Sequence, residues 1–175
     1  MYVLHMKSAI ISAALLILTF MPLTINAAAH EKDSLRAEDY YIEGVREYCA
    51  GNYSHARQHL SASLRLTPEN DAALYYLAMI SLADNDTDKA MEFLGKASEI
   101  SPENEWYRLA MAQLYSGIGE SDLAIGIYEE LIAASPAKSS YYYDLINLLV
   151  QNGKLDEALE TLDKIELLRG SGTMP

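Results

Sequence analysis

The stretch LTPEN, residues 66–70, returns at residues 100–104 as ISPEN. A third and more altered copy, ASPAK, begins at Ala134, so Pro68, Pro102 and Pro136 are evenly spaced along the chain. Because proline disfavours the helical conformation of the residue before it, each copy predicts the end of a helix. The constant interval therefore predicts a structural unit that is repeated along the chain.

Other residue types keep the same interval. One set is Gly51, Asn85, Gly119 and Gly153, and another is Ala56, Ala90, Ala124 and Ala158. Gly and Asn tolerate the left-handed conformation that follows a helix, so the first set predicts a turn within each unit. The apolar periodicity around these turns predicts helices over 38–50, 53–66, 71–83, 87–100, 105–117, 121–134, 139–152 and 155–168. We expect Asp86, Ser121 and Asp156 to cap the helices that follow.

The pattern resembles the tetratricopeptide repeat, a helix-turn-helix unit whose length matches this interval. The resemblance covers residues 37–170 and includes small residues at position 8 (Gly44, Ala78 and Ala112), alanine at position 20 and proline at position 32. Small residues suit these points because paired helices approach closely there. The resemblance implies an all-α, right-handed α-solenoid of four repeats, over residues 38–70, 71–104, 105–138 and 139–170.

Residues 1–29 have the plan of a secretory signal peptide. Lys7 precedes an apolar run from Ala9 to Phe20, and small residues at 27–29 offer a cleavage site. Export to the periplasm or the outside of the cell is therefore expected, with residues 30–37 as a linker and 171–175 as a tail. An uncleaved N-terminal anchor is the alternative, and it would be the chain's one membrane contact. No cysteine stands at the cleavage site, so a lipid anchor is not indicated.

The chain is strongly acidic, with a formal net charge of −12 and a pI near 4.6. Nucleic acids and anionic membrane surfaces are bound through clustered Lys and Arg, so the composition disfavours both partners. The single cysteine, Cys49, cannot form an internal disulfide. The fold must then be stabilised by its apolar core.

The sequence carries no strong signal for catalysis or for a metal site. Asp84, Asp86 and Asp88 open like a calcium loop, but Lys89 occupies the place where such a loop requires glycine. His55 and His59 are four residues apart on a predicted helix, but no HExxH motif surrounds them. We therefore predict a protein that is not an enzyme and that holds no metal and no cofactor.

The resemblance implies that the first helix of each repeat lines a concave face where a partner binds. The groove residues carried over from the family's positions, one by one, are Tyr41, Ile42, Val45 and Tyr48 in the first repeat, Tyr75, Tyr76, Met79 and Leu82 in the second, Trp106, Leu109, Gln113 and Ser116 in the third, and Tyr143, Asp144, Asn147 and Gln151 in the fourth. Aromatic residues and Met are enriched at protein interfaces, so the prediction is a protein or peptide partner with apolar anchors. The alternative is that the tyrosines pack between adjacent repeats. The face carries no Lys, which disfavours a clamp for a peptide's terminal carboxylate.

The last predicted helix is more apolar than a solvent-facing end requires. Its leucines are Leu155, Leu159, Leu162, Leu167 and Leu168. Further repeats beyond this chain, a dimer formed through the helix, and an exposed stripe that the chain tolerates are the three interpretations. The predicted function is an exported scaffold for protein–protein interaction. The alternative is an N-terminal sensory or regulatory segment of a longer signalling or cell-envelope assembly protein.

Overall fold

The computed structural model describes residues 30–170, which form eight helices and no strand. The helices are α1 (30–49), α2 (Tyr53–Leu66), α3 (Asp71–Ala83), α4 (Thr87–Ile100), α5 (Glu105–Gly117), α6 (Ser121–Ala134), α7 (Ser139–Gln151) and α8 (Leu155–Gly170). The predicted class, an all-α fold of helix-turn-helix repeats, is confirmed, and eight helices fit about four repeats. The predicted signal segment, residues 1–29, and the predicted tail, residues 171–175, lie outside the described range.

Helices α2 to α6 begin and end at the predicted residues, whereas α1 begins earlier than predicted. Residues 30–37, predicted to be a linker, are helical and continuous with the rest of α1. This segment contains no glycine or proline to interrupt it. Its Asp33 and Arg36 side chains approach to 3.6 Å one helical turn apart, and its last residue, Ala37, is buried. Helix α1 therefore extends eight residues before its predicted start at residue 38.

The predicted turns are confirmed by the backbone. The residue predicted to make the turn within each repeat adopts a positive φ angle: 79° at Gly51, 60° at Asn85, 86° at Gly119 and 72° at Gly153. Asp86 caps α4 as predicted, because its carboxylate accepts a hydrogen bond from the Lys89 amide. Ser121 and Asp156 are not caps, since both lie inside their helices. The cap position directly follows the left-handed residue, and Glu120 occupies it in the third repeat.

The repeated pentapeptide joins one repeat to the next. The residues that precede Pro68 and Pro102 leave the helical region, with φ and ψ near −130° and 80°. The Asn70 side chain then accepts a hydrogen bond of 2.9 Å from the Ala73 amide, and Asn104 accepts one of 3.1 Å from the Trp106 amide. Each joint thus ends one helix and caps the next.

The described residues fall into two compact units that divide between Glu69 and Asn70. In the first unit, α1 and α2 approach closely at Gly44, where an added Cβ would lie 2.7 Å from Leu60 Cγ. In the second unit, each helix from α3 to α8 packs on the next one in the chain. The alanines predicted at close approaches in that unit are buried, namely Ala78, Ala90, Ala112, Ala124 and Ala158.

Within residues 30–170, none of the helices combines the length and the apolar character that a membrane crossing requires.

Candidate partner-binding groove

An open pocket of about 370 Å³, which we call the apolar pocket, lies between α3 and α5. Tyr75, Met79 and Leu82 line it from α3, and Ala110, Gln113, Leu114 and Gly117 line it from α5. Because 3.6 residues make one helical turn, residues three or four apart share a face, and this spacing turns the three α3 side chains to one side. The predicted groove residues Tyr75, Met79 and Gln113 therefore meet at one site.

One residue that lines the apolar pocket, Tyr75, packs against two other aromatic rings. The Tyr75 ring centroid lies 5.6 Å from that of Tyr107 and 5.6 Å from that of Tyr76, and the Tyr76 ring meets it edge-on at 75°. Such tilted and edge-on pairs are the arrangements that aromatic quadrupoles favour. Tyr75 therefore contacts both rings and also contributes to the lining of the pocket.

A second pocket of about 190 Å³, which we call the polar pocket, lies between α5, α6 and α7. Its polar lining includes Gln113 and Ser116 from α5 and Asp144, Asn147 and Gln151 from α7, and Tyr128 and Leu148 complete it. The predicted residues Gln113 and Asn147 thus share this pocket. Since Gln113 lines both pockets, the two are adjacent along the same face.

The electrostatics of the polar pocket are set by one carboxylate. Burial raises the pKa of Asp144 above its ordinary value, because partial removal from water disfavours the charged form. Burial also raises the pKa of Tyr128 to about 12, and the negative charge of Asp144 adds to the increase. The other side chains of the lining carry no charge.

The remaining predicted groove residues lie outside both pockets. Trp106, in the first turn of α5, is 71% exposed, and Tyr143, on α7, is 40% exposed. The Tyr143 hydroxyl accepts a hydrogen bond of 2.7 Å from Arg169 on α8. Tyr41 belongs to the first unit, where it is half-buried on α1.

Two tyrosines outside the predicted groove connect adjacent repeats. Tyr107 and Tyr141 are buried, and each donates a hydrogen bond to an acidic side chain 36 residues earlier. Tyr107 reaches Asp71 at 3.1 Å, and Tyr141 reaches Glu105 at 2.8 Å. A hydrogen bond from tyrosine to a carboxylate therefore connects the second repeat to the third and the third repeat to the fourth.

The second of these contacts is part of a larger polar network. Glu105 accepts hydrogen bonds from Lys138, Ser135 and Tyr141, which together lower the pKa of its carboxyl from 4.5 to about 2. Lys138 occupies the place of the capping asparagine in the third joint, and its side chain caps nothing there. It contacts the preceding repeat instead.

The histidines considered for a metal have other neighbours. The His59 ring lies 6.2 Å from the Tyr40 ring, and His55 Nδ1 lies 3.8 Å from a Glu47 carboxylate oxygen. Over the described residues 30–170, no group of three or more His, Cys, Asp or Glu side chains is placed to hold a metal ion.

Sequence reasoning missed several residues that line the pockets. Asn85 and Ile118 line the apolar pocket from the turns that follow α3 and α5, and Thr87 lines it from the start of α4. Tyr128 reaches the polar pocket from α6, the second helix of its repeat. The family's groove positions lie on first helices only, so they give no signal for these residues.

The chain matches a family model described as tetratricopeptide repeat, over residues 50–114, 81–141 and 119–169. Tetratricopeptide repeat protein 37 of Xenopus laevis is 27% identical over 143 residues, which are 78% of this chain and only 9% of that protein. The Photosystem I assembly protein Ycf3 of Cyanophora paradoxa is 26% identical over 124 residues, covering 69% of this chain and 72% of that protein. The comparisons do not favour the alternative of a regulatory segment from a longer signalling protein.

Two solved structures show the same fold. A crystal structure of MamA superposes with a TM-score of 0.69 at 20% identity, covering 84% of this chain and 86% of that one. YrrB, described as a TPR protein with an unusual peptide-binding site, superposes with a TM-score of 0.63 at 22% identity, covering 86% and 80%. At this level of identity the likeness concerns the fold.

Proposed function

Because the chain belongs to the tetratricopeptide repeat family, we propose that it is a scaffold that binds a protein or peptide partner in the groove of α3, α5 and α7. The observation that carries the proposal is the apolar pocket, which is open and lined by Tyr75, Met79 and Leu82. Binding, and not catalysis, is the proposed mechanism.

The chemistry of this groove suits a peptide with apolar anchors. Tyr and Met offer large contact areas, and both are enriched at interfaces between proteins. Trp106 exposes 71% of its surface in the first turn of α5, although an indole of this size is usually well covered. Covering it with a partner would remove apolar surface from water, which favours association.

A library of random dodecapeptides displayed on phage tests the proposal on the purified chain. Enriched peptides should contain apolar or aromatic residues, and their affinity should fall about tenfold or more with Trp106→Ala, as for a central aromatic contact. Leu123→Ala is the matched control, because Leu123 is 52% exposed on α6 and lines neither pocket. No enrichment, or equal losses in the two variants, would contradict the proposal.

We also propose that residues 1–29 direct export and are removed. The apolar run and the alanines at 27–29 support this. Expression of the full chain in a bacterium, followed by fractionation and intact mass measurement, tests it. A soluble periplasmic product that lacks residues 1–27 or 1–29 is expected, and a full-length product in the membrane fraction would instead support an uncleaved anchor.

We propose, finally, that α8 mediates association with a second copy of the chain. Leu159 and Leu162 are 61% and 38% exposed, whereas their counterparts one repeat earlier, Ile125 and Tyr128, are buried. The counterparts lie in the core cluster that α6 shares with α7, whereas no helix within residues 30–170 covers the similar apolar face of α8. Light scattering should give a dimer that Leu159→Glu converts to a monomer and Leu123→Glu does not. A monomeric unmodified chain at high concentration would rule the dimer out.

A further inference from the structure

The apolar pocket and the polar pocket are the same place in two successive repeats. Lining residues of the first have counterparts one repeat later in the second: Met79 and Gln113, Leu82 and Ser116, Ala110 and Asp144, Gln113 and Asn147, Leu114 and Leu148. Leucine is present in both pockets. In each of the other four pairs, the residue that lines the second pocket is polar. The groove therefore changes its chemistry over the length of one repeat.

The most consequential of these differences is a carboxylate in place of a methyl group. Asp144 stands where the first pocket has Ala110, and it is half-buried. Among the described residues it has no hydrogen-bond or ion-pair partner, and no basic side chain lines the pocket. A carboxylate that is partly removed from water without a partner costs free energy, as the raised pKa of Asp144 also indicates. A cationic ligand would offset this cost.

The uncharged groups around Asp144 fit the same kind of ligand. Gln113, Asn147 and Gln151 can each present an amide oxygen, and Ser116 can accept through its hydroxyl. An ammonium group offers three donors and a guanidinium offers five, so either can satisfy several of these acceptors together with the carboxylate. A divalent metal ion would need more than one charged oxygen ligand, and the pocket supplies only Asp144.

We infer that the polar pocket receives a Lys or Arg side chain of a bound peptide whose apolar residue occupies the neighbouring apolar pocket. This inference rests on the proposed peptide-binding function. Gln113 borders both pockets, so a peptide that follows the groove passes from one to the other. The acidity of the whole chain, 25 acidic against 13 basic residues, also favours the approach of a basic peptide.

The expected contribution of the basic side chain is about tenfold in affinity. A hydrogen bond to a charged group is stronger than one between neutral groups. A tenfold change in affinity corresponds to the lower end of the free energies that such charged hydrogen bonds contribute. The lower range applies because the pocket is open and Asp144 remains partly hydrated.

The test is a double-mutant cycle on acetylated and amidated versions of the peptides enriched by phage display. Each peptide is compared with a copy in which Lys is replaced by norleucine, which removes the ammonium group and keeps the four-carbon chain, or Arg by citrulline, which removes the charge and keeps the length. Affinities are measured by fluorescence polarisation for the unmodified chain, Asp144→Asn and Glu160→Gln. Glu160 is exposed on α8 and lines neither pocket, so its variant controls for the change in net charge.

The replacement should weaken binding about tenfold to the unmodified chain and to Glu160→Gln, and less than threefold to Asp144→Asn. Asp144→Ala, which copies Ala110 into the second repeat, should shift the preference toward apolar residues at that place in the peptide. Peptides without acetylation show whether a free amino terminus takes the pocket instead of a side chain. Equal losses for Asp144→Asn and the unmodified chain would overturn the inference and leave groove binding intact, whereas a library without binders would overturn both.

Discussion

Glu105→Gln should destabilise the chain by an amount that depends on pH. Glu105 lies at the start of α5 and accepts hydrogen bonds from Lys138, Ser135 and Tyr141, two of which come from the segment joining the next repeat. Glutamine keeps the size of the side chain and removes its charge. The variant therefore measures what the charge contributes to the junction between the repeats.

The magnitude follows from the lowered pKa of Glu105. A pKa that falls from 4.5 in the unfolded chain to about 2 in the folded one is linked to about 3 kcal/mol of folding free energy at neutral pH. This figure is an upper bound, because the side chains of Lys138 and Glu105 are 51% and 22% exposed and water screens the pair. We expect Glu105→Gln to cost ~1–2 kcal/mol at pH 7.

The sign of the pH dependence is fixed by the direction of the change in pKa. Because the folded state lowers the pKa of Glu105, the stabilisation is complete above the unfolded-state value of 4.5 and is lost as the pH falls toward 2. More than half of the difference between Glu105→Gln and the unmodified chain should be gone at pH 3. At neutral pH the difference should be nearly constant.

Urea unfolding followed by circular dichroism at 222 nm, at pH 7 and at pH 3, measures this difference. Glu103→Gln is the matched control, since Glu103 is an exposed acid two residues earlier, in the joint that precedes α5. The control should change stability by less than about 0.5 kcal/mol at both pH values. An equal cost of Glu105→Gln at pH 7 and pH 3 would refute the assignment of the stabilisation to the charged carboxylate.

Three further substitutions test the packing and the joints. Gly44→Ala should lower the free energy of unfolding by about 1–3 kcal/mol, because its Cβ would lie 2.7 Å from Leu60 Cγ, whereas Gly95→Ala, with nothing within 4 Å, should raise it by about 0.5–1 kcal/mol. Thermal denaturation of both variants compares them, and two shifts of the same sign would contradict the close approach. Asn70→Ala should cost about 1 kcal/mol in urea unfolding through loss of the α3 cap, and a cost near zero would show that the cap is dispensable.

The constant repeat period was sufficient to predict most of the helix bounds because each boundary has a local cause. Helix α2 ends two residues before Pro68, and the turn after α3 is made at Asn85, whose positive φ angle few residue types adopt. The start of α1 has no such marker, since residues 30–37 contain neither Gly nor Pro. The repeat pattern begins at residue 37, so it could not indicate that α1 starts at residue 30.

The groove was predictable only in part, for a different physical reason. Family positions identified Tyr75, Met79 and Gln113, which do meet in the apolar pocket. They could not show that Tyr128 reaches the polar pocket from α6 and takes part in its electrostatics. The environment of Asp144 depends on three helices, so no spacing within a single helix indicates it.

The third joint shows how a repeat can change its chemistry while keeping its fold. Where the first two joints have Asn70 and Asn104 as caps, the third has Lys138, which leaves α7 without a side-chain cap. Lys138 bonds instead to Glu105 of the preceding repeat, and this network lowers the carboxyl pKa to about 2. The lost cap and the gained charge contact are of similar expected size, so the exchange can be close to neutral for stability.

In the second unit, residues that serve packing differ from groove residues in how they vary from repeat to repeat. Ala90, Ala124 and Ala158 keep both their identity and their burial from repeat to repeat, since a larger side chain would not fit between the paired helices. On the groove face, Ala110 and Asp144 occupy equivalent places and differ in charge, although the helices that carry them follow one repeat pattern. Packing alone gives no reason to place an unpaired carboxylate there, because burying it costs free energy. The departure from the repeat is therefore the place where a partner's charge would be recognised.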